Sequence, residues 1–218
     1  MSAPRVTVVV LAKAPVPGRV KTRLCPPCTP DQAATLAEAA LVDTLDAVAA
    51  TRGIRRVLAL DGRVGTWPRF GIRVVAQSEG GLDCRIAGAF GVTAGPILVI
   101  GMDTPQVTPR VLEHASRALR APGTDAVLGP ADDGGYWALG LTRPAPAAVL
   151  GVAMSTPRTG AEQLHRLEVL GLRVRMLSSA RDVDTIDDAG AVARLAPSTR
   201  FAAAFRDLPV QIAAEATA

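Results

Sequence analysis

Four cations fall within eleven residues of one short segment, Lys13-Ala14-Pro15-Val16-Pro17-Gly18-Arg19-Val20-Lys21-Thr22-Arg23. Arginine offers phosphate oxygens a planar fork of donors, and lysine offers a point charge. Gly18 lets a ligand approach the backbone closely, and the three-residue Pro-Val-Pro stretch stiffens the loop. Lys13, Ala14, Gly18, Arg19, Lys21 and Arg23 are therefore the candidate nucleotide-phosphate binders. The segment is not a P-loop, because Lys21-Thr22 lacks the preceding glycine and the upstream one. Carboxylates stand elsewhere. Asp103 lies in Gly101-Met102-Asp103-Thr104-Pro105, where an acid just beyond a strand can hold a hard cation that neutralises phosphate charge. Asp182 and Asp184 alternate in Arg181-Asp182-Val183-Asp184-Thr185, so extended backbone points both the same way. One of them can complete a metal site with Asp103. Asp132-Asp133-Gly134-Gly135-Tyr136 offers acceptor groups and exposed backbone, and is the candidate acceptor-binding loop.

Positioning these groups falls to alternating strands and helices. Val6 to Leu11 is a continuous β-branched run, as in a strand buried on both faces of a parallel sheet. Further strands are expected at Val57 to Leu60, Ile72 to Ala76, Ile97 to Ile100, Ala126 to Leu128, Tyr136 to Leu141 and Val174 to Leu177. Thr29-Pro30-Asp31-Gln32 reads as a capping box opening a helix to about Ala50. Other helices are expected from Arg85 to Val92, from Thr108-Pro109 to about Arg120, from a second capping box at Thr159 and Glu162 to about Leu170, and from Thr185 to about Leu195. Asp187 and Asp188 suit the first turn of that last helix, where acids complement its dipole. The alternation predicts one α/β domain over residues 1–218, with a mostly parallel central sheet, helices on both faces and a weakly specified tail from about residue 197. Ligands in such sheets bind beyond the carboxyl ends of the strands, where the cation loop and the acids fall.

Composition narrows the classes. The chain has 218 residues and a net charge of +4. Outside that one segment its basic residues are scattered, and its aromatics are scarce, which argues against a nucleic-acid surface. No apolar stretch is long enough to span a bilayer, no signal peptide is evident, and three cysteines make no disulfide framework, so a cytoplasmic protein is expected. Cys25-Pro26-Pro27-Cys28 lacks the further paired ligands a zinc site needs. His114 and His165 sit at helical positions and read as surface residues.

The loops together resemble the DUF2064 family, bacterial proteins also called radical-SAM/selenodomain-associated transferases. The resemblance runs from Val6 to about Leu195 and rests on AKAPVPGRVKTRL (Ala12 to Leu24), GMDTP (Gly101 to Pro105), LGPADDGGYWALGL (Leu128 to Leu141), STPRT (Ser155 to Thr159) and RDVDT (Arg181 to Thr185). It implies a type A glycosyltransferase, or nucleotide-diphospho-sugar transferase, fold. That family is similar to the guanylyltransferases that build 2-phospholactate and molybdenum cofactors. The likeness implies a nucleotide held by the first loop and a divalent metal, Mg²⁺ or Mn²⁺, held by Asp103 and Asp184. The chain departs from the family where Cys84 precedes Arg85 in place of an acid, and where Thr104 replaces the cysteine of an Asp-Cys-Pro turn. The expectation is a metal-dependent nucleotidyltransferase acting on a nucleoside triphosphate and a small phosphorylated or carboxylated acceptor, with Lys21, Asp103 and Asp184 in catalysis. Glycosyl transfer from a nucleotide sugar is the alternative. A non-catalytic nucleotide-binding protein is a third reading, against which intact Asp103 and Asp184 count.

Overall fold

The computed structural model describes residues 4–67 and 70–209. An interior strand is β1, Thr7–Lys13, whose side chains are buried on both sheet faces for most of its length. Parallel neighbours flank it: β2, Arg55–Asp61, on one side and β4, Ile97–Gly101, on the other. With β3 (Arg73–Ala76), β5 (Ala126–Pro130), β6 (Tyr136–Leu141) and β7 (Val174–Met176), the order is β3-β2-β1-β4-β6-β5-β7. Only β6 runs against its neighbours, pairing antiparallel with both β4 and β5. That reversal places the start of β6 at the carboxyl end of the rest of the sheet.

The β-branched runs fix which face each side chain occupies, because side chains alternate along a strand. Val8, Val10 and Ala12 face α1 (Pro30–Ala50) and α3 (Pro109–Leu119), where they meet Leu41, Leu45, Leu112 and Leu119. Val9, Val57, Val99 and Leu139 face the opposite layer, with Ile86 and Phe90 of α2 (Leu82–Phe90) and Leu167 of α4 (Thr159–Val169). The expected caps form at α1, where Thr29 accepts from Gln32 N and the Gln32 side chain accepts from Thr29 N at 2.8 Å. They form again at α5 (Ile186–Leu195), where Thr185 and Asp188 complete a reciprocal box.

Three expectations need correction. The helix after the glycine pair starts at Leu82, with Gly81 as its cap, rather than at Arg85. Thr159 does not cap α4: the capping position is Arg158, and Thr159 lies inside the helix with its hydroxyl donating to Ala153 O at 2.9 Å. Glu162 instead sits 3.6 Å from Arg158 in a pair four residues apart. The tail contains α6, Arg200–Arg206, capped by Thr199. It packs Phe201 and Phe205 with Leu36, Ala40 and Val192 into a third cluster that also takes in Leu24 and Cys28 from the cation loop. Among the described residues no helix is long and apolar enough to cross a membrane.

Candidate functional site

Three loops meet above the carboxyl ends of β1 and β4, and backbone hydrogen bonds stitch them together. Lys13 N donates to the Met102 sulfur at 3.3 Å, joining the cation loop to the turn after β4. Val183 N donates to Asp103 O at 3.0 Å, joining that turn to the segment between β7 and α5. Val183 is buried in the third cluster, so its neighbours Asp182 and Asp184 both point the other way, as the alternation predicted. Asp103, Asp182 and Asp184 thereby each present a carboxylate oxygen, all within 4.8 Å of one another.

The cation loop supplies the counter-charge. Lys21 Nζ donates to Asp103 Oδ2 at 2.8 Å and to Asp184 Oδ1 at 3.0 Å. Arg23 Nη1 donates to Asp184 Oδ2 at 2.9 Å. Lys21 takes a left-handed backbone conformation, φ 47°, and its side chain is only 10% exposed. Burial opposes its charge, but Asp103 and Asp184 together outweigh that and hold its pKa above the ordinary lysine value. Asp184 is partly desolvated, yet Lys21 and Arg23 hold it below the usual carboxylate range. The same two cations do not bond Asp182. Desolvation, with repulsion from Asp103, Asp133 and Asp184, pushes it up to about 7.

These groups line one cleft of about 890 Å³, within the range of small-molecule sites. Lys13, Arg19, Lys21 and Arg23 all face it, as do Asp133, Gly135 and Tyr136. Ala14 instead packs into the core, Gly18 is exposed in its loop, and Asp132 turns away to pair with Arg181 at 3.2 Å. Gly134 serves packing: with φ +89°, any Cβ there would strike the Pro157 carbonyl, and a Cβ on Gly160 would lie 2.6 Å from the Gly135 oxygen. Gly160 N donates to Gly134 O at 2.8 Å, so the loop before β6 and the start of α4 interlock.

Sequence reasoning missed part of the wall. Met154, Ser155, Thr156 and Pro157 line the cleft, and Ser155 is left-handed at φ 59°; the STPRT stretch carried the signal, but only its end reads as a helix start. Arg85 was also missed. It lines the cleft and donates to Asp61 Oδ2 at 2.6 Å and Gln77 Oε1 at 3.0 Å, so its acidic partner comes from β2 rather than from position 84. The Arg85 hydrogen bond holds Asp61 below the ordinary carboxylate pKa. Trp137 is buried, with its indole N–H donating to Ser178 O. Cys28 is buried beside half-buried Cys25 in apolar packing, and both histidines lie on helices.

Residues 44–156 match the profile of a family described as uncharacterized protein conserved in bacteria, DUF2064. No curated protein matches the sequence. Among solved structures, one provisionally described as a nucleotide-diphospho-sugar transferase from Desulfovibrio desulfuricans G20 superimposes with a TM-score of 0.84 at 23% identity, covering 95% of this chain and 96% of that one. Rv0371C from Mycobacterium tuberculosis H37Rv, in complex with manganese, gives 0.53 at 23% identity, covering 88% and 100%. The 2-C-methyl-D-erythritol 4-phosphate cytidylyltransferase of Thermus thermophilus gives 0.54 at 15% identity, covering 89% and 100%. At these identities the likeness establishes a shared fold.

Proposed function

The chain belongs to the DUF2064 family, and from that premise and its cleft we propose that it is a metal-dependent transferase acting on a nucleotide phosphate. The observation that carries this is a cluster of three carboxylates at the carboxyl edge of the sheet, two of which, Asp103 and Asp184, contact a stiff cationic loop. The donor set fits a hard divalent cation. Hard divalent cations take carboxylate oxygens, and three acids each offer one within 4.8 Å of the others. Asp103, Asp184 and Asp182 would hold Mg²⁺ or Mn²⁺. When bound, such an ion neutralises charge on phosphate oxygens.

The chain's own groups do the rest of the work. Lys13, Arg19, Lys21 and Arg23 hold the phosphates of the donor, and Lys21, next to the acids, stabilises charge that grows on phosphoryl oxygens. The wall of Asp133, Gly135, Tyr136 and Met154 to Pro157 receives the acceptor. Tyr136 stays a neutral donor, since burial, with the Asp83 carboxylate nearby, holds its pKa above the ordinary phenol value.

Within this class we favour nucleotidyl transfer to a phosphorylated or carboxylated acceptor. Arg19, Lys21 and Arg23 in one loop suit a triphosphate, whose leaving group is pyrophosphate, better than a diphosphate. Likeness to a provisional nucleotide-diphospho-sugar transferase supports the second reading, glycosyl transfer. The two leave different products. With Mg²⁺, each nucleoside triphosphate and a pool of small phosphorylated and carboxylated metabolites, the protein should release pyrophosphate. Diphosphate release from a nucleotide sugar, with none from any triphosphate, would establish the second reading instead.

A further inference from the structure

The chain contains 22 arginines and only two lysines, and both lysines lie in the cation loop. Lys13 is exposed at the end of β1, whereas the Lys21 ammonium sits between Asp103 and Asp184. Its position is unusual for a phosphate-binding cation, which would be expected to point at the ligand. Arginine is poorly suited to this part. A compact ammonium on a flexible four-carbon stem can lie between two carboxylates and then swing away, while a guanidinium is a broad planar fork. The backbone supports the placement, since a left-handed conformation is uncommon for a residue with a long side chain and persists where the surroundings enforce it.

The charges explain what the ammonium does there. Three carboxylates within 4.8 Å repel one another. Lys21 bonds two of them, Asp103 and Asp184, and Arg23 bonds Asp184 as well, so neither cation is spent on Asp182. Resting on the metal-dependent reading above, we propose that Lys21 is a resident counter-ion: its ammonium occupies the place a divalent cation takes between Asp103 and Asp184, and the incoming metal displaces it toward the donor's phosphates. Metal and lysine therefore compete for the same oxygens. A bare metal ion must break both Lys21 contacts, so it binds weakly. Metal arriving with a polyphosphate offers the released ammonium new oxygens in the same cleft. The exchange adds positive charge to the cleft and is most favourable when a polyanion is there to take up the released ammonium, which couples metal loading to donor binding.

The test titrates Mn²⁺ alone, by calorimetry, into the wild-type protein and into Lys21→Met and Lys21→Gln. The ammonium holds each carboxylate by a charge-assisted hydrogen bond that these variants remove, so both should bind Mn²⁺ about tenfold or more tighter than wild type. Thermal melts establish that each variant is folded, and Asp103→Asn identifies the site by abolishing the gain. A second measurement needs no variant. With only two lysines in the chain, acetylation followed by mass spectrometry reads Lys21 against Lys13. Saturating Mn²⁺ should raise labelling at Lys21 and leave Lys13 unchanged. Equal or weaker Mn²⁺ binding by the folded variants, or Lys21 labelling that ignores Mn²⁺, overturns the counter-ion role while leaving the metal-dependent reading in place. Failure of every protein to bind Mn²⁺ overturns both.

Discussion

Thr104 follows Asp103, and its surroundings suit an apolar side chain. It is fully buried, and its hydroxyl has no hydrogen-bond partner among the described residues. A buried hydroxyl without a partner costs about 1–3 kcal/mol. Thr104→Val keeps the shape and removes the unpaired group. It should stabilise the fold by about 1 kcal/mol, which for a chain of this size is a rise of about 2–4 °C in Tm by calorimetry. An unchanged or lower Tm would mean that the hydroxyl has a partner, such as an ordered water. The same turn shows why a residue type alone did not reveal the site's wiring. Asp103 in the sequence is one acid after a strand; only the fold shows its carboxylate bonded to a lysine 82 positions earlier.

Elements carry the next level, and α6 is the instructive one. Its sequence is alanine-rich, which gives helix propensity but no contrast between faces. What defines it is contact with α1. Asp43, buried on that helix, accepts from Arg200 N at 3.1 Å and Phe201 N at 2.8 Å, satisfying donors that a helix start leaves free. Phe201 is completely buried beneath. Because the same cluster supports Leu24 at the end of the cation loop and Val183 between the two acids, α6 braces the site from below. Phe201→Ala should cost about 3–5 kcal/mol in denaturant unfolding. A loss below about 1 kcal/mol would show that the tail helix is dispensable. The failed cap at Thr159 has a comparable cause: Gly160 is pinned to the Gly134 carbonyl, so tertiary contact, not a local capping box, sets where α4 begins.

At the scale of the molecule, the far sheet edge is closed by a short strand and an ion pair. Arg173, just before β7, grips Asp125, just before β5, through its Nε at 2.7 Å, and its backbone N–H donates to the same carboxylate at 3.0 Å. Those hydrogen bonds lower the Asp125 pKa to about 2. The folded pKa lies below the unfolded value of about 3.9, so the pair's contribution is complete above that value. It is lost as pH falls through about 2. Between these limits Tm should drop as the solution is acidified, and Asp125→Asn should flatten that slope relative to wild type. Parallel slopes for the two proteins would mean that other carboxylates govern acid unfolding. The sheet order matters more for the cleft: with β1 and β4 adjacent in the interior and β6 reversed, one edge collects the loops after β1, β4, β5 and β7.

The sequence by itself determined the strands and most helices, because β-branched runs and caps act over a few neighbouring residues and are written in them. It also marked segments that the fold brings to one cleft, since four cations in one stiff loop and alternating acids mark themselves by composition. Only the tertiary structure decided which charges meet. Lys21 bridging Asp103 and Asp184, Arg85 finding Asp61, and the STPRT stretch forming a cleft wall all join residues far apart in the chain. Electrostatic contact falls off over a few ångströms, and sequence separation says nothing about that distance until the sheet order and the reversal of β6 have fixed it.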